Sequence, residues 1–297
     1  MFCLPIDIII IGIAVMQLCN TDILSSKVKY MHIKLLALDI DGTLVTTEKN
    51  IPAGNKTAIR RFMKNGGIVT IASGRPISGV TRYAEELGLN VGGGYVITYN
   101  GSRIFDARTG ELLYEKNLSA EQSARIIDVA EKYNVPITTY KGDTAVTDNA
   151  DDKYFYLEVN LNNLGLQRVP SLRKEVTYPV PKYLITGEPD YITETEKLFK
   201  NELSGVSVFR SEPFFLEITP LMVDKGTALM WLADSLGIRR EQVMACGDGY
   251  NDITMISEAG IGVAMENAQE PAKNAADFVT LSNDDNGVAA AIKKFAL

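Results

Sequence analysis

The stretch LLALDIDGTLV, residues 35–45, decides the fold prediction. It opens as an apolar run typical of a strand buried in a parallel sheet, but Asp39 interrupts the run and Asp41 follows it. Side chains two residues apart on a strand point the same way, so both carboxylates emerge at its carboxyl end, where open α/β sheets bind ligands. Gly42 permits a sharp turn, and Thr43 offers a hydroxyl just behind it. A turn-forming or helix-capping D-x-D-G would explain this tetrad equally well.

Short apolar runs and helical stretches alternate over most of the chain from residue 31 onward. The strand-like stretches are LLALDI, GIVTIAS, YVITYNG, FFLEIT, QVMACG, IGVAM and DFVTL. The helical ones include NKTAIRRFMKNG, residues 78–87, KGTALMWLADSLG and NDITMISEAG, and SRIFDARTGELLYE reads as a hairpin. This alternation predicts an α/β fold with a parallel, doubly wound sheet.

The middle of the chain has a different pattern. Ser119 and Gln122 form a capping box before a helix that runs to about Tyr133. Short β-like pieces follow (PITTYKG, TAVTD, YFYLEV), and then the strand KYLIT, a helix over 190–203 and the strand VSVFRS. We therefore predict one sheet domain from residues 31–113 and 213–297, with an α+β module inserted at 114–212.

Composition excludes several classes of function. The net charge of −7 and a pI near 5.0 disfavour a nucleic-acid surface. Cys3, Cys19 and Cys246 are far apart and predict neither disulfides nor a zinc site, and Cys246 lies inside a strand as a core residue. His32 is the only histidine and precedes the first strand, where a solvated or packing role is expected. Hydrolytic chemistry in this chain would therefore use carboxylates and a metal.

Residues 2–19 are strongly apolar but are interrupted by Pro5, Asp7 and Gln17. The run is short for a membrane span and lacks the basic start of a signal peptide. We interpret residues 1–30 as an extension ahead of a natural start at Met31, with a weak anchor or an extra packed element as alternatives. Membrane contact is expected only if this extension inserts, and the lysines that follow it would then keep the rest of the protein cytoplasmic.

Two further sites carry groups that suit a phosphate. Ser73 and Gly74 follow the second strand, where a hydroxyl and a free N–H group next to a helix start can bind a phosphate oxygen. Small residues are common at such turns, so this signal alone is weak. Lys225 opens a helix, where its charge opposes the helix dipole. A solvated lysine is the ordinary alternative, but its neighbours favour a cation held against phosphate and carboxylate.

CGDGYND, residues 246–252, is the most informative stretch. Asp248 and Asp252 bracket a turn after a strand, and two glycines free the backbone between strand and helix. Asn251 or Asp252 would serve as an ordinary helix N-cap, but that role explains only one of the three polar residues. A cluster of oxygen ligands without histidine or cysteine selects a hard cation such as Mg²⁺.

These four motifs, in this order, resemble those of the haloacid dehalogenase-like hydrolases. DIDGT matches the family's first motif, Ser73 the second, Lys225 the third and GDGYND the fourth. Five further segments resemble the Cof-type phosphatase branch, and within it the sugar-phosphate phosphatases. They are ITYNG, FFLEITP, VDKGTAL, GVAMENA and NDDNGVAAAI. The resemblance implies a Rossmann-like core with an α+β cap domain between the second and third motifs. The chain has room for that cap only after Arg75, which agrees with an insertion at 114–212.

The resemblance also implies the chemistry. Asp39 is expected to be the nucleophile that forms an aspartyl-phosphate, and Asp41 the general acid and base, with its pKa raised by the neighbouring carboxylate. Mg²⁺ is expected at Asp39, the backbone carbonyl of Asp41, and Asp248, with Asp252 orienting Lys225 or a metal-bound water. The expected phosphate-binding residues are Ile40, Thr43, Ser73, Gly74, Lys225 and Asn251. Arg75 either contacts the site or simply pairs with a carboxylate.

The substrate is predicted only as a class. The resemblance favours small sugar phosphates, with pyridoxal phosphate or flavin mononucleotide as the alternative within the same chemistry. A non-catalytic sugar-phosphate sensor is the alternative of a different class, but the intact aspartate and lysine set argues against it. Tyr140, Lys141 and the run DDKYFYLEVN are expected mostly to build the core and surface of the cap. The sequence indicates no obligatory protein partner.

Overall fold

The structure is a computed structural model, and it describes residues 32–297. The predictions for residues 1–30 and for Met31 lie outside the described residues. Two sheets organise the described chain. The strands of the larger sheet, in chain order, are β1 (Leu35–Leu38), β2 (Ile68–Ala72), β3 (Tyr95–Thr98), β4 (Arg103–Asp106), β5 (Leu112–Glu115), β12 (Val243–Gly247), β13 (Ile261–Ala264) and β14 (Phe278–Val279).

The larger sheet has the strand order β14-β13-β12-β1-β2-β3-β4-β5. All pairs from β14 to β3 are parallel, and β3 pairs antiparallel with β4. Strands β4 and β5 form the predicted hairpin. Strand β1 is central, and its residues alternate between two cores. Leu36 and Leu38 join one hydrophobic cluster, while Leu35 and Ala37 join another on the opposite face. Burial on both faces explains why the sequence of β1 is almost continuously apolar.

The smaller sheet carries the remaining strands. In chain order they are β6 (Thr138–Lys141), β7 (Thr144–Thr147), β8 (Gly165–Arg168), β9 (Tyr183–Thr186), β10 (Val206–Glu212) and β11 (Phe215–Pro220). Their order is β10-β11-β9-β6-β7-β8, and only the β7–β8 pair is parallel. The fold is thus an α/β core with a mainly parallel sheet and a second sheet that forms the cap domain, as the sequence predicts.

The helices cover both faces of the larger sheet. On the smaller sheet, the helices at 120–133 and 189–202 pack on one face, and the helix at 153–161 packs on part of the other. In chain order the helices are α1 (Ala53–Lys64), α2 (Ile77–Leu87), α3 (Leu89–Gly92), α4 (Ala120–Tyr133), α5 (Lys153–Leu161), α6 (Leu172–Glu175), α7 (Pro189–Glu202), α8 (Lys225–Ser235), α9 (Ile253–Glu258), α10 (Glu270–Ala275) and α11 (Gly287–Phe295). Short 3₁₀ turns span Tyr99–Gly101, Arg240–Gln242 and Tyr250–Asp252. The predicted capping box is present at α4, because Ser119 and Gln122 bond each other's backbone N–H groups.

One sequence prediction in the cap is wrong. YFYLEV, expected as a β-like piece, lies in α5. Asp152 caps this helix, since its carboxylate accepts hydrogen bonds from the N–H groups of Tyr154 and Phe155 at 2.8 and 3.1 Å. Aromatic and β-branched residues favour strands only weakly, and the N-cap together with burial of Phe155 decides the local structure.

The strands also bear on the predicted domain limits. Strand β5 of the larger sheet continues to Glu115, and strand β11 of the smaller sheet continues to Pro220. The division at 114 and 212 remains a prediction, and sheet membership favours junctions a few residues later at both ends. Within residues 32–297, no helix combines the length and apolar character that crossing a membrane requires.

Candidate active site

The turn after β1 places the two carboxylates of the opening motif. The carbonyl of Ile40 accepts hydrogen bonds from the N–H groups of Thr43, Leu44 and Val45, at 3.4, 3.1 and 3.1 Å, which folds the chain back sharply. Gly42 has a φ of +80°, and a Cβ atom at this position would overlap the carboxylate of Asp248. Glycine is therefore required here both for its backbone conformation and for the close approach of the fourth motif.

Lys225 lies at the centre of the site and is fully buried. Its ammonium contacts a carboxylate oxygen of Asp39 and one of Asp252, both at 2.6 Å. Burial opposes the charge of Lys225, but Asp252 and Asp39 outweigh that effect and raise its pKa. The lysine thus carries a permanent positive charge directly beside the expected nucleophile, and its contact with phosphate stays a prediction. It does not itself line the cavity described below.

The loop of the fourth motif is held by Asp252. Its second carboxylate oxygen accepts the N–H groups of Asp248 and Gly249 at 2.9 and 2.8 Å. Both oxygens of Asp252 are therefore engaged, one by the backbone and one by Lys225. Asp252 thus orients Lys225 and the loop, and its role in the chemistry stays a prediction. A carboxylate oxygen of Asp248 lies near one of Asp39.

Thr43 is placed differently from its predicted role. Its side chain is fully buried, outside the lining of the cavity, and its hydroxyl donates to Asp248 at 2.9 Å. The structure therefore gives Thr43 a contact with the acidic cluster in place of the phosphate contact that we expected. The sequence showed a hydroxyl near the strand end but did not show which way it would point.

The acidic cluster fits a divalent cation. Carboxylate oxygens of Asp39, Asp248 and Asp252 lie within 4.8 Å of one another, with Lys225 as the positive charge among them. Burial and repulsion from Asp252 raise the pKa of Asp39 and raise that of Asp248 to about 6. Burial and mutual repulsion disfavour the ionised forms of these carboxylates, so a hard cation that prefers oxygen ligands would stabilise them. Because Asp252 is otherwise engaged, Asp39 and Asp248 are the side chains that would hold the ion.

The pKa of Asp41 differs from the prediction. Arg75 forms a bidentate ion pair with its carboxylate, with both contacts at 2.8 Å, and Lys49 adds a third contact at 2.6 Å. Burial favours a higher pKa, but these two cations outweigh it and lower the pKa of Asp41. The predicted rise in the pKa of Asp41 is therefore wrong, because the nearest charges to its carboxylate are cations. Arg75 pairs with this carboxylate and also lines the cavity described below, so it combines its two predicted options.

The phosphate-binding candidates of the other two motifs lie at the same edge of the sheet. Ser73, Gly74 and Asn251 all line one cavity together with Asp39 and Asp248. The Asn251 amide donates to Asn100 at 3.0 Å. Asn100 was not singled out as a site residue, although it lies in the phrase ITYNG. Its φ of +54° lies in the left-handed region, which asparagine adopts more readily than most residues.

The cavity lies between the two sheets and has a volume of about 530 Å³, enough for a small metabolite. Its lining residues on the side of the smaller sheet come from α5 and the residue after it, from the residue just before β9, and from the β10–β11 hairpin. They are Leu157, Glu158, Leu161, Asn162, Lys182, Phe209, Arg210, Ser211, Glu212, Phe214, Phe215 and Glu217. Sequence reasoning singled out none of these individually, because no spacing within this part of the chain marks which face of each strand points toward the core.

Other residues named from the sequence have ordinary environments. Tyr140 is buried and packs against Tyr99, with ring centroids 5.4 Å apart, while Lys141 is exposed and pairs with Glu175. His32 is exposed. Cys246 is fully buried in the core, and burial raises the pKa of its thiol to about 12. The predicted packing and solvent roles of these residues agree with the structure.

Comparison with known proteins identifies the class that this fold and site define. The haloacid dehalogenase-like hydrolase family matches residues 36–292, so the chain belongs to that family, in its Cof-type (subclass IIB) phosphatase branch. It is thus a phosphoric monoester hydrolase of small phosphorylated metabolites. A relative from Bacillus subtilis, the 5-amino-6-(5-phospho-D-ribitylamino)uracil phosphatase YcsE, is 34% identical over 90% of this chain and 97% of its own length.

Solved structures agree with this class. A haloacid dehalogenase-like hydrolase from Bacteroides thetaiotaomicron has a TM-score of 0.82 and 41% identity, over 88% of this chain and 99% of its own. The subclass IIB sugar phosphatase BT4131 has a TM-score of 0.77 and 27% identity, over 88% of this chain and 98% of its own. The similarity therefore spans both the core and the inserted cap domain.

Proposed function

We propose that this protein is a Mg²⁺-dependent phosphatase of small sugar phosphates that works through an aspartyl-phosphate on Asp39. The observation that carries the proposal is the position of the Asp39 carboxylate, which lies at the cavity between the buried ammonium of Lys225 and the carboxylate of Asp248. Lys225 binds one oxygen of Asp39, which fixes the direction of the other. A carboxylate oriented in this way is what covalent phosphoryl transfer needs.

Asp41 supplies the proton chemistry in this proposal. It lines the same cavity, two residues beyond Asp39, and Arg75 and Lys49 fix the direction of its carboxylate. Asp41 would protonate the oxygen of the leaving alcohol and then accept a proton from the water that hydrolyses the aspartyl-phosphate. An incoming phosphate dianion competes for the two cations around Asp41 and so moves its pKa upward, toward the protonated form that the first step requires.

Mg²⁺ at Asp39 and Asp248 would neutralise charge on the phosphate and so reduce its repulsion of the Asp39 carboxylate. The backbone carbonyl of Asp41 is the third proposed ligand. Ser73, Gly74, Asn251 and the N–H group of Ile40 are the proposed contacts for phosphate oxygens. We propose that Lys225 holds Asp39 in position and that its third donor, beyond those bound to Asp39 and Asp252, contacts a phosphate oxygen.

Two features of the cavity bear on the substrate. Buried Lys182, Glu158 and Glu217 offer hydrogen-bonding partners to hydroxyl groups and so favour sugar or polyol phosphates. Phe209 and Phe214 line the cavity as well and would suit an aromatic ring. That second observation supports pyridoxal phosphate or flavin mononucleotide as the alternative substrates. The names of two similar proteins, a sugar phosphatase and a ribitylaminouracil phosphatase, cover both chemistries.

The test is phosphate release by the full-length chain from a panel of sugar phosphates, sugar-alcohol phosphates, pyridoxal phosphate, flavin mononucleotide and p-nitrophenyl phosphate. Each compound is measured with Mg²⁺ and with EDTA. We expect metal-dependent release, highest on small sugar phosphates. Highest activity on the aromatic compounds would select the alternative substrates. No release from any compound by a folded protein would contradict the phosphatase and favour a sugar-phosphate sensor. A cytoplasmic location remains a prediction from the sequence.

A further inference from the structure

A buried ion pair lies on the cap side of the cavity. The ammonium of Lys182 is 3.2 Å from the carboxylate of Glu217, and the two side chains are only 3% and 4% exposed. Both residues line the cavity, although neither belongs to the four motifs of the core. Charged side chains are almost never buried to this extent without a specific partner, so the pair requires a physical explanation.

The strand register brings these two side chains to one face of the smaller sheet. Glu217 on β11 pairs with Leu184 on β9, and Lys182 lies two residues before Leu184. All three side chains therefore point to the same side of the sheet. The alternate residues Tyr183 and Ile218 point the other way, into the hydrophobic core under α4 and α7. One face of the sheet is thus the core of the cap, and the other presents charge to the cavity.

Stability of the cap does not account for this pair. Removing two charges from water costs about as much as their attraction returns, and a well-packed apolar pair is often as stable. The neighbouring side chains are polar too: the ammonium of Lys182 is 5.4 Å from the ring centroid of Tyr140, whose hydroxyl donates to buried Glu158 at 2.7 Å. A lysine has three donors, and Glu217 is the one carboxylate among the described residues within ion-pair distance of Lys182.

The pair is also connected to the phosphate side of the site. The second carboxylate oxygen of Glu217 accepts from the amide of Asn100 at 3.3 Å, and the amide oxygen of Asn100 accepts from Asn251 at 3.0 Å. A continuous chain of hydrogen bonds therefore runs from the cap to the loop of the fourth motif. Groups bound at the two ends of this chain would be held at a defined distance from each other.

We propose that Lys182 and Glu217 are the specificity-determining pair that binds hydroxyl groups of the leaving alcohol. This inference rests on the proposed phosphatase function. The ammonium donates to a hydroxyl oxygen and the carboxylate accepts from a hydroxyl hydrogen, so neighbouring hydroxyls of a sugar or polyol satisfy both. A substrate without them leaves two charged groups facing an apolar surface, and sites of this kind reject such analogues strongly.

The test compares a neutral pair with the native one. Lys182→Met/Glu217→Gln removes both charges together, keeps similar side-chain volumes and retains an acceptor for Asn100, so the link to Asn251 is preserved. The matched control is Lys141→Met/Glu175→Gln, which makes the same changes in an ion pair of the cap that lies outside the cavity lining. Both are assayed on a hexose 6-phosphate and on p-nitrophenyl phosphate, with circular dichroism to verify the fold.

We expect the ratio of the two kcat/KM values, sugar over p-nitrophenyl phosphate, to fall about 10-fold or more in the Lys182/Glu217 variant, mainly through KM for the sugar. The control ratio should not change. An equal loss on both substrates, or no loss, overturns the inference while leaving the phosphatase function intact. A wild-type protein that hydrolyses neither these two compounds nor any other of the panel overturns the proposed function, and the inference with it.

A second measurement does not depend on the folding of the double variant. Wild-type protein and the single variant Glu217→Gln are compared on hexose 6-phosphates that each lack one hydroxyl. In the wild type, at least one missing hydroxyl should reduce kcat/KM about 10-fold or more, and in Glu217→Gln that penalty should shrink. Equal activity of the wild type on every deoxy analogue would overturn the inference, as would a penalty unchanged by the substitution.

Discussion

Arg75 and Asp41 form a bidentate ion pair, with both nitrogen–oxygen contacts at 2.8 Å. The same guanidinium donates to the carbonyl of Leu161 at the end of α5 in the cap, at 3.3 Å. Arg75 therefore connects the proposed general acid to the domain that covers the substrate. We treat it as a positioning residue, because its planar fork fixes the direction of the Asp41 carboxylate.

Arg75→Lys should keep the charge but lose the fixed geometry. We expect kcat on a sugar phosphate to fall about 10- to 100-fold, less than the roughly 10²–10⁴-fold contribution of a general acid, because Asp41 itself remains. The loss on p-nitrophenyl phosphate should be smaller, since a phenolate leaves without a proton from Asp41. Arg60→Lys, at an exposed position of α1, is the control. Equal losses on both substrates would show that Arg75 acts on the phosphate or on folding instead.

Asp39→Asn should abolish turnover without unfolding the protein. The amide cannot form an acyl phosphate, and it removes one negative charge from a cluster in which burial and repulsion already raise the pKa of Asp39. We therefore expect no phosphate release above background and an unchanged or higher Tm. Labelled phosphate should be recovered on acid-quenched wild-type protein and not on the variant. Asp190→Asn, at an exposed position of α7, is the control, and substantial activity in Asp39→Asn would remove Asp39 from the nucleophile role.

Lys225→Met should destabilise the protein as well as inactivate it. Lys225 is the ammonium between Asp39 and Asp252, so its removal leaves buried carboxylates without a counter-charge. Breaking a buried ion pair from one side costs about 3–5 kcal/mol. For a chain of this size we expect Tm in EDTA to fall by about 10 °C, measured by calorimetry beside the exposed-site control Lys64→Met. A Tm within the range of the control would mean that the cluster is protonated or solvated.

The core of the fold could be predicted from the sequence because its signals are local. A few neighbouring residues are enough to indicate a strand end or a tight turn. Examples are the apolar run of β1, Gly42, and the cluster of Asp248 and Asp252. Parallel strands bring their carboxyl ends to one edge, so separate motifs converge without further information. The contact of Lys225 with Asp39 follows from that convergence.

The remaining features depend on contacts between segments that the sequence does not connect. Whether Lys182 and Glu217 face the cavity depends on the β9–β11 register, and shifting it by one residue would turn every side chain over. The pKa of Asp41 depends on Arg75 and Lys49, which reach it from other turns. YFYLEV forms a helix because Asp152 caps it, although the composition of this segment favours a strand. Such outcomes require the tertiary structure.

The contact between Gly79 on α2 and Asn162 at the end of α5 should determine how closely the cap packs against the core. A Cβ atom at residue 79 would overlap the amide oxygen of Asn162, so a larger residue must push α5 away from the core. We expect Gly79→Val to raise KM for a sugar phosphate several-fold, with a smaller effect from Thr81→Val on the exposed side of the helix. Adding Asn162→Ala should restore part of the loss by making room, whereas strictly additive effects would contradict this contact.

Because of Asp248, the effect of Mg²⁺ on the stability of the protein should depend on pH. Burial and the charge of Asp252 raise the pKa of Asp248 from the ordinary 3.8 to about 6. The folded, metal-free protein therefore binds an extra proton between about pH 4 and pH 6, and the stability linked to that proton is lost as the pH rises through this window. The rise corresponds to up to about 3 kcal/mol of free energy of unfolding. Above about pH 6 the carboxylate of Asp248 is deprotonated and can bind a cation.

Mg²⁺ should consequently raise Tm much more at about pH 7.5 than at about pH 5, because at the lower pH it competes with protons for the same oxygens. Comparing Tm with Mg²⁺ and with EDTA at each pH cancels the contributions of groups that do not bind the metal, and the measurement does not require activity. Asp248→Ala should remove most of the Mg²⁺ effect at pH 7.5 and weaken the metal dependence of turnover. If Mg²⁺ stabilises the wild type equally at both pH values, or stabilises the Asp248→Ala variant as well as the wild type, the cation is bound by other ligands.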